Sequence, residues 1–173
     1  MLLGGTAALK AGAFSLVLLI IAIPFPFVEH FAPPLASLVA RSTALTAGLL
    51  GIEVAQKGAQ LTVGGGAFIV GAPCSGLRSI VALTSLAVIL AGVSSGQLAK
   101  RSALVLAAIP LAVFANFFRM LGLIWVAERF GADQSLRFFH GPSSPILFLL
   151  ATASLFALGH LLGLHPDVQR ETL

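Results

Sequence analysis

Cys74 is the one cysteine of the chain, and it stands in a run, Gly71 to Ser79 (GAPCSGLRS), that joins a short β-branched stretch to a long apolar one. A free cysteine is most often a small buried hydrophobe. Here Pro73 precedes it and Ser75-Gly76 follow, where an apolar helix is expected to begin. Open amides at a helix N-terminus favour a thiolate, and Gly76 leaves space for a second backbone to come close. A thiolate attacks carbonyl carbon when a base or a cation supports it. Ser75 and Ser79 are alternative nucleophiles, but neither lies in a G-x-S-x-G context, and the neighbouring thiol is the better nucleophile.

Two further positions carry matching chemistry. Arg119 interrupts an apolar run, and Asn116 lies three residues earlier, on the same face of a helix. An arginine near a helix end can simply snorkel to the surface. With Asn116 it can also hold a thiolate, a substrate carbonyl or a tetrahedral oxyanion. His140, between Phe138-Phe139 and Gly141-Pro142, can take and return a proton near neutral pH; Phe138 and Phe139 are expected to dock at the membrane interface. His30 is the alternative base, while His160 and His165 fall at the other end of the expected topology. Arg78 either supports the same site or anchors its helix. The histidines show no metal-ligand spacing and one cysteine supports no thiolate cluster, so neither metal nor cofactor is expected. Gly64-Gly65-Gly66 lacks the lysine and following helix of a phosphate loop and reads as a turn.

The elements that must position these residues are membrane elements. The chain is 58% hydrophobic and 9% charged, against about 45–50% and about 25% in soluble domains. Its net charge of +4 comes from scattered basic residues, which excludes a nucleic-acid groove. The expected fold is a single all-α polytopic membrane domain of about four spans: Ala11 to Phe27, Ser75 to Val93, Ala103 to Leu123 and Ser144 to Leu162. The first span is long for a signal peptide's apolar core and lacks a clear cleavage pattern, so it reads as retained. Glu29 to Pro34 reads as a proline-broken turn. Leu35 to Gly51, with Arg41 inside it, reads as an interfacial or re-entrant helix, a tilted span being the alternative. Ile52 to Val70 reads as two or three short strands separated by glycines. Because open sheet edges do not survive in lipid, this piece is expected at the aqueous face, and residues 35–73 together are expected as an extracytoplasmic interfacial helix and β-like segment. Ser94 to Ser102 reads as a loop and Trp125 to Arg137 as a polar surface helix or loop. With Lys100 and Arg101 in the cytoplasm, parity carries Cys74, Arg119 and His140 to the extracytoplasmic face.

Three local patterns in this order, APCSGLRS at Ala72 to Ser79, ANFFRM at Ala115 to Met120, and His140-Gly141 before an apolar span, resemble the exosortase/archaeosortase family of membrane transpeptidases. The likeness covers roughly Leu50 to Leu150, and the chain is similar to a compact form of the family. The resemblance implies Cys74 as nucleophile, with the family's arginine at Arg119 and its histidine at His140; Asn116, Arg78, Ser75 and Gly76 are the substrate-binding or supporting candidates read from the residues themselves. The resemblance also implies a bacterial inner-membrane protein without cofactor. The implied substrates are exported proteins with a C-terminal tail made of a short motif, an apolar helix and basic residues. They would be cut through a thioester and passed to water or to a glycan- or lipid-linked acceptor. A small transporter, a non-catalytic assembly protein and a cysteine acyltransferase are the rival readings of the same residues.

Overall fold

The computed structural model describes residues 26–70, 76–140 and 143–166. Most of the first expected span, the Gly71–Ser75 part of the cysteine motif and the end of the tail lie outside them. Five helices and two small sheets follow in order: α1 (Pro26–Leu49), β1 (Ala55–Lys57), β2 (Gln60–Val63), β3 (Gly66–Ile69), α2 (Leu77–Val93), β4 (Ser94–Ser95), α3 (Leu98–Phe130), α4 (Ala132–His140), α5 (Ser143–Leu161) and β5 (His165–Pro166).

The long helix α3 is the platform. Leu104, Ala108, Ala112, Asn116 and Met120, each four residues after the last, form one buried stripe along it. The stripe serves two apolar cores. At the N-terminal part of α3, Leu104, Ala108 and Ala112 pack with Leu83 and Ala87 of α2 and Ala151 and Leu155 of α5. The small residues let these backbones approach closely. Further along, Met120, Leu123, Ile124 and Ala127 pack with Ala36, Val39 and Ala40 of α1 and with Leu61, Val63 and Phe68 of the sheet. Asn116 lies on the stripe between the two cores. About 27 Å of helix separates it from Leu98, close to the hydrocarbon thickness of a bilayer.

Among the described residues, α3 is the one helix long and apolar enough to cross a membrane; α2 and Pro145–Leu161 of α5 are shorter apolar helices. Around them Ile89, Leu106, Ile109, Phe114, Phe118, Leu149 and Phe156 are exposed, an outward apolar surface that water would not tolerate over such an area. At one end, β4 pairs with β5, Ser95 opposite His165, so the end of α5 lies beside the α2–α3 connection. There an Arg101 guanidinium nitrogen donates to the Ser94 carbonyl. At the other end, β1, β2 and β3 form an antiparallel meander.

Three boundaries differ from expectation. Pro33 and Pro34 lie inside α1 rather than in a turn. Ala36, Val39, Ala40, Thr43 and Ala47 are buried on one face, and burial of that face outweighs the two backbone hydrogen bonds that the prolines forgo. Helix α3 starts at Leu98, so Lys100 and Arg101 belong to its first turn and not to a loop. It then continues through Trp125 to Phe130 before the chain reverses at Gly131 into α4. The fall in hydropathy after Leu123 leaves the helix intact, since a helix tolerates a polar face wherever that face meets water. The short strands were expected and are present, with Gly64-Gly65 as a two-residue hairpin turn, both at positive φ (56° and 75°).

The hairpin tip sits on α3: a Cβ on Gly64 would lie 2.6 Å from the Ala127 carbonyl oxygen, whereas one on Gly65 would meet nothing within 4 Å. Gly64→Ala should therefore lower thermal stability in detergent by clearly more than Gly65→Ala, which carries only the backbone strain of about 1 kcal/mol. Equal losses would mean that the hairpin does not rest on α3.

Candidate functional site

Asn116 and Arg119 face two different segments one helical turn apart. Asn116 is buried, and the segment against it is the start of α2. Gly76 caps that helix with φ +84° and no side-chain cap, and its carbonyl accepts from the Ile80 N–H at 2.9 Å, the first turn of α2. A Cβ on Gly76 would lie 2.9 Å from Asn116 Cγ and 3.0 Å from Nδ2. Only glycine allows both this backbone conformation and this approach. The second half of the cysteine motif is thus pressed onto the Asn116 side chain.

Arg119 faces α4. Its guanidinium carbon lies 4.3 Å from the centroid of the Phe139 ring, a cation–π geometry. Phe139 is buried in the core shared with the sheet, so it holds Arg119 rather than docking at the membrane interface as expected. Helix α4 reaches this position because it folds back along α3. Ser135 is fully buried, and its hydroxyl donates to the Leu123 carbonyl at 2.7 Å. Four residues on, Phe139 meets Arg119, four residues back from Leu123. Ser135 was not expected from the sequence. The only signal for it is its i, i+4 relation to Phe139 in a strongly amphipathic stretch.

The remaining expected residues fall as follows. Cys74 and Ser75 lie outside the described residues, with Cys74 three positions ahead of the first residue of α2. His140 is the last residue of α4, next to Phe139. Arg78 is the second residue of α2 and is exposed, which fits the anchoring reading better than a role beside Asn116. His160 is exposed near the end of α5, at the opposite end of the bundle from Asn116. His30 belongs to α1. Among the described residues no three His, Cys, Asp or Glu side chains gather as a metal site would require.

Beneath Asn116 and Arg119, a cavity of about 20 Å³ opens between α2, α3 and α5, with Ser79, Leu83, Leu147 and Ala151 in its wall. That is room for about one water molecule. The arrangement offers a cation and an amide to one side of the α2 N-terminus, over an otherwise apolar bundle.

The Gly76–Asn116 contact is testable through coupling. Gly76→Ala should lower stability by more than about 1 kcal/mol through strain and overlap. Asn116→Ala in the same chain should recover part of it, a coupling of at least about 0.5 kcal/mol in a double-mutant cycle of thermal unfolding. Additive losses would separate the two residues.

Comparison with known proteins adds one finding. No curated protein and no solved structure matches the chain. A family model described as transmembrane exosortase (Exosortase_EpsH) matches residues 1–157, a stretch that includes the cysteine motif, the Asn116–Arg119 turn and His140. The chain belongs to the transmembrane exosortase family.

Proposed function

We propose that the protein is a cysteine-dependent membrane protease or transpeptidase that removes a C-terminal sorting tail from exported proteins. One observation carries this reading. On one turn of α3, Asn116 packs against Gly76, two residues after Cys74, and Arg119 packs against Phe139, the neighbour of His140. Acyl transfer needs a nucleophile, a cation and a base within reach of one carbonyl, and these two contacts support that reading.

In this mechanism the Cys74 thiolate attacks the scissile carbonyl carbon. Arg119 and Asn116 stabilise the negative charge that develops on oxygen. His140 gives a proton to the leaving amine, and the C–N bond breaks to leave an acyl-enzyme thioester. His140 then takes a proton from the incoming nucleophile, which attacks the thioester and releases the thiolate. Water yields a free carboxylate; an amine on a glycan- or lipid-linked acceptor yields a transferred protein.

The substrate's apolar tail helix would lie in the bilayer against the exposed faces of α2, α3 and α5. With Lys100 and Arg101 on the cytoplasmic side of an inner membrane, those three helices cross it and the Asn116–Arg119 turn opens on the extracytoplasmic side. The stripe from Leu104 to Ala112 is apolar and the cavity under Asn116 holds about one water, which favours catalysis over transport.

The test is co-expression with a secreted reporter whose C-terminus carries a tail of that architecture, taken from an exported protein of the same organism. Cys74→Ala should abolish processing while membrane insertion survives, and the wild type should yield a trappable thioester. Processing that continues in Cys74→Ala removes the nucleophile. Arg119→Ala should slow turnover by about 10²–10³-fold, with Arg119→Lys intermediate. Turnover of Arg119→Ala within about twofold of wild type would remove its electrostatic role. His140→Ala should slow processing and flatten its pH dependence near neutrality; an unchanged profile would assign the base elsewhere.

A further inference from the structure

We propose that the free edge of β3 receives the extended segment of the substrate that precedes its apolar tail, as an added strand. This rests on the reading of the chain as a peptidase or transpeptidase of tailed proteins. Strand order makes β1 and β3 the two edges of the meander. The register pairs Ile69 with Gln60, Phe68 with Leu61, Ala67 with Thr62 and Gly66 with Val63. The Val70 N–H donates to the Ala59 carbonyl at 2.8 Å. Because ladder bonds alternate along a strand, Gly66, Phe68 and Val70 turn their peptide groups to β2, and Ala67 and Ile69 turn theirs outward. Two N–H groups and two carbonyls therefore line an edge that is open among the described residues.

The two edges are treated differently by the sequence. On β1 only Gln56 faces outward, Lys57 stands beside it, and the Gln56 amide donates to the Gly58 carbonyl at 2.6 Å. A lysine is the usual guard of a solvent-facing edge. On β3 the sequence GAFI has neither charge nor proline, and Ile69 is 74% exposed. An unguarded edge of this kind is a template for strand addition.

Its position selects the occupant. Gly66 abuts Ala132, where α4 begins. From there β3 and α4 run to the same turn of α3: the chain after β3 reaches Gly76 on Asn116, and α4 reaches Phe139 on Arg119. Cys74 follows Ile69 by five residues, at most about 18 Å of extended chain. The hairpin tip rests on Ala127, about 43 Å along α3 from Leu98, beyond the depth of a hydrocarbon core. A polypeptide leaving the bilayer at the Asn116–Arg119 turn and lying along β3 would be held by its backbone, whatever its side chains.

The test uses the Cys74→Ala protein in nanodiscs, so that binding is read without cleavage. The probe is the tailed reporter, with benzoylphenylalanine placed in turn at each residue ahead of its apolar helix. Photo-crosslinks should map to residues 66–70 and rise and fall with a period of two along the probe. Ile69→Pro deletes one outward N–H and leaves the bonds to β2 intact; it should cut crosslink yield about tenfold, whereas Ile69→Val should not. Crosslinks absent from residues 66–70, or equal yields for the proline and valine variants, would overturn the proposal. Crosslinks at β3 with a reporter that the wild type never cleaves would uphold the edge and remove the cysteine mechanism instead.

Discussion

A backbone resting directly on a polar side chain, with no Cβ between them, is the contact on which this structure turns. Gly76 meets Asn116 because its φ and its lack of a side chain permit it. Asn116 occupies that point because it falls on the buried stripe of α3, between an apolar core shared with α2 and α5 and another shared with α1 and the sheet. Burying an amide is costly unless its polar atoms are engaged. Arg119 is one turn on and partly buried, and Phe139 shields one face of its guanidinium. The polar centre thus lies where the apolar helical bundle meets the core shared with the sheet.

The chain reversal at Gly131 makes this centre three-sided. Without it, Phe139 would not reach the Arg119 guanidinium. Ser135 ties the returning helix to α3 through the Leu123 carbonyl. Helix α4 is short, so its last residues stop at the level of Arg119. The sheet fills the space between α1 and the upper part of α3, and its hairpin tip reaches the same reversal at Ala127 and Ala132.

Much of this was legible where sequence and local physics agree. The glycine-separated β-branched runs folded as the expected strands, and the apolar runs after Gly76 and after Pro142 became α2 and α5 within two residues of their expected bounds. Asn116 and Arg119 share a face because their spacing requires it. What was not legible depends on tertiary contacts. Pro33-Pro34 signals a break locally, yet α1 runs through it because its buried face is held by the sheet and α3. Hydropathy falls at Trp125, which marks where α3 leaves the apolar layer and not where it ends. Phe139 reads as one of two adjacent aromatics at a surface, and only the fold-back of α4 reveals it as the partner of Arg119. No composition or spacing announces that Ser135 is buried.

The central claim is that this turn of α3 brings the cysteine motif and the end of α4 together. The most direct measurement exploits the single native cysteine: His140→Cys gives a chain with two thiols, and mild oxidation in native membranes joins them only where their Cβ atoms come to about 4 Å. A rapid intramolecular disulfide should form between Cys74 and position 140, and more slowly when Gly76 is replaced by alanine. Two thiols that both alkylate freely yet never join, at any degree of oxidation, would contradict it.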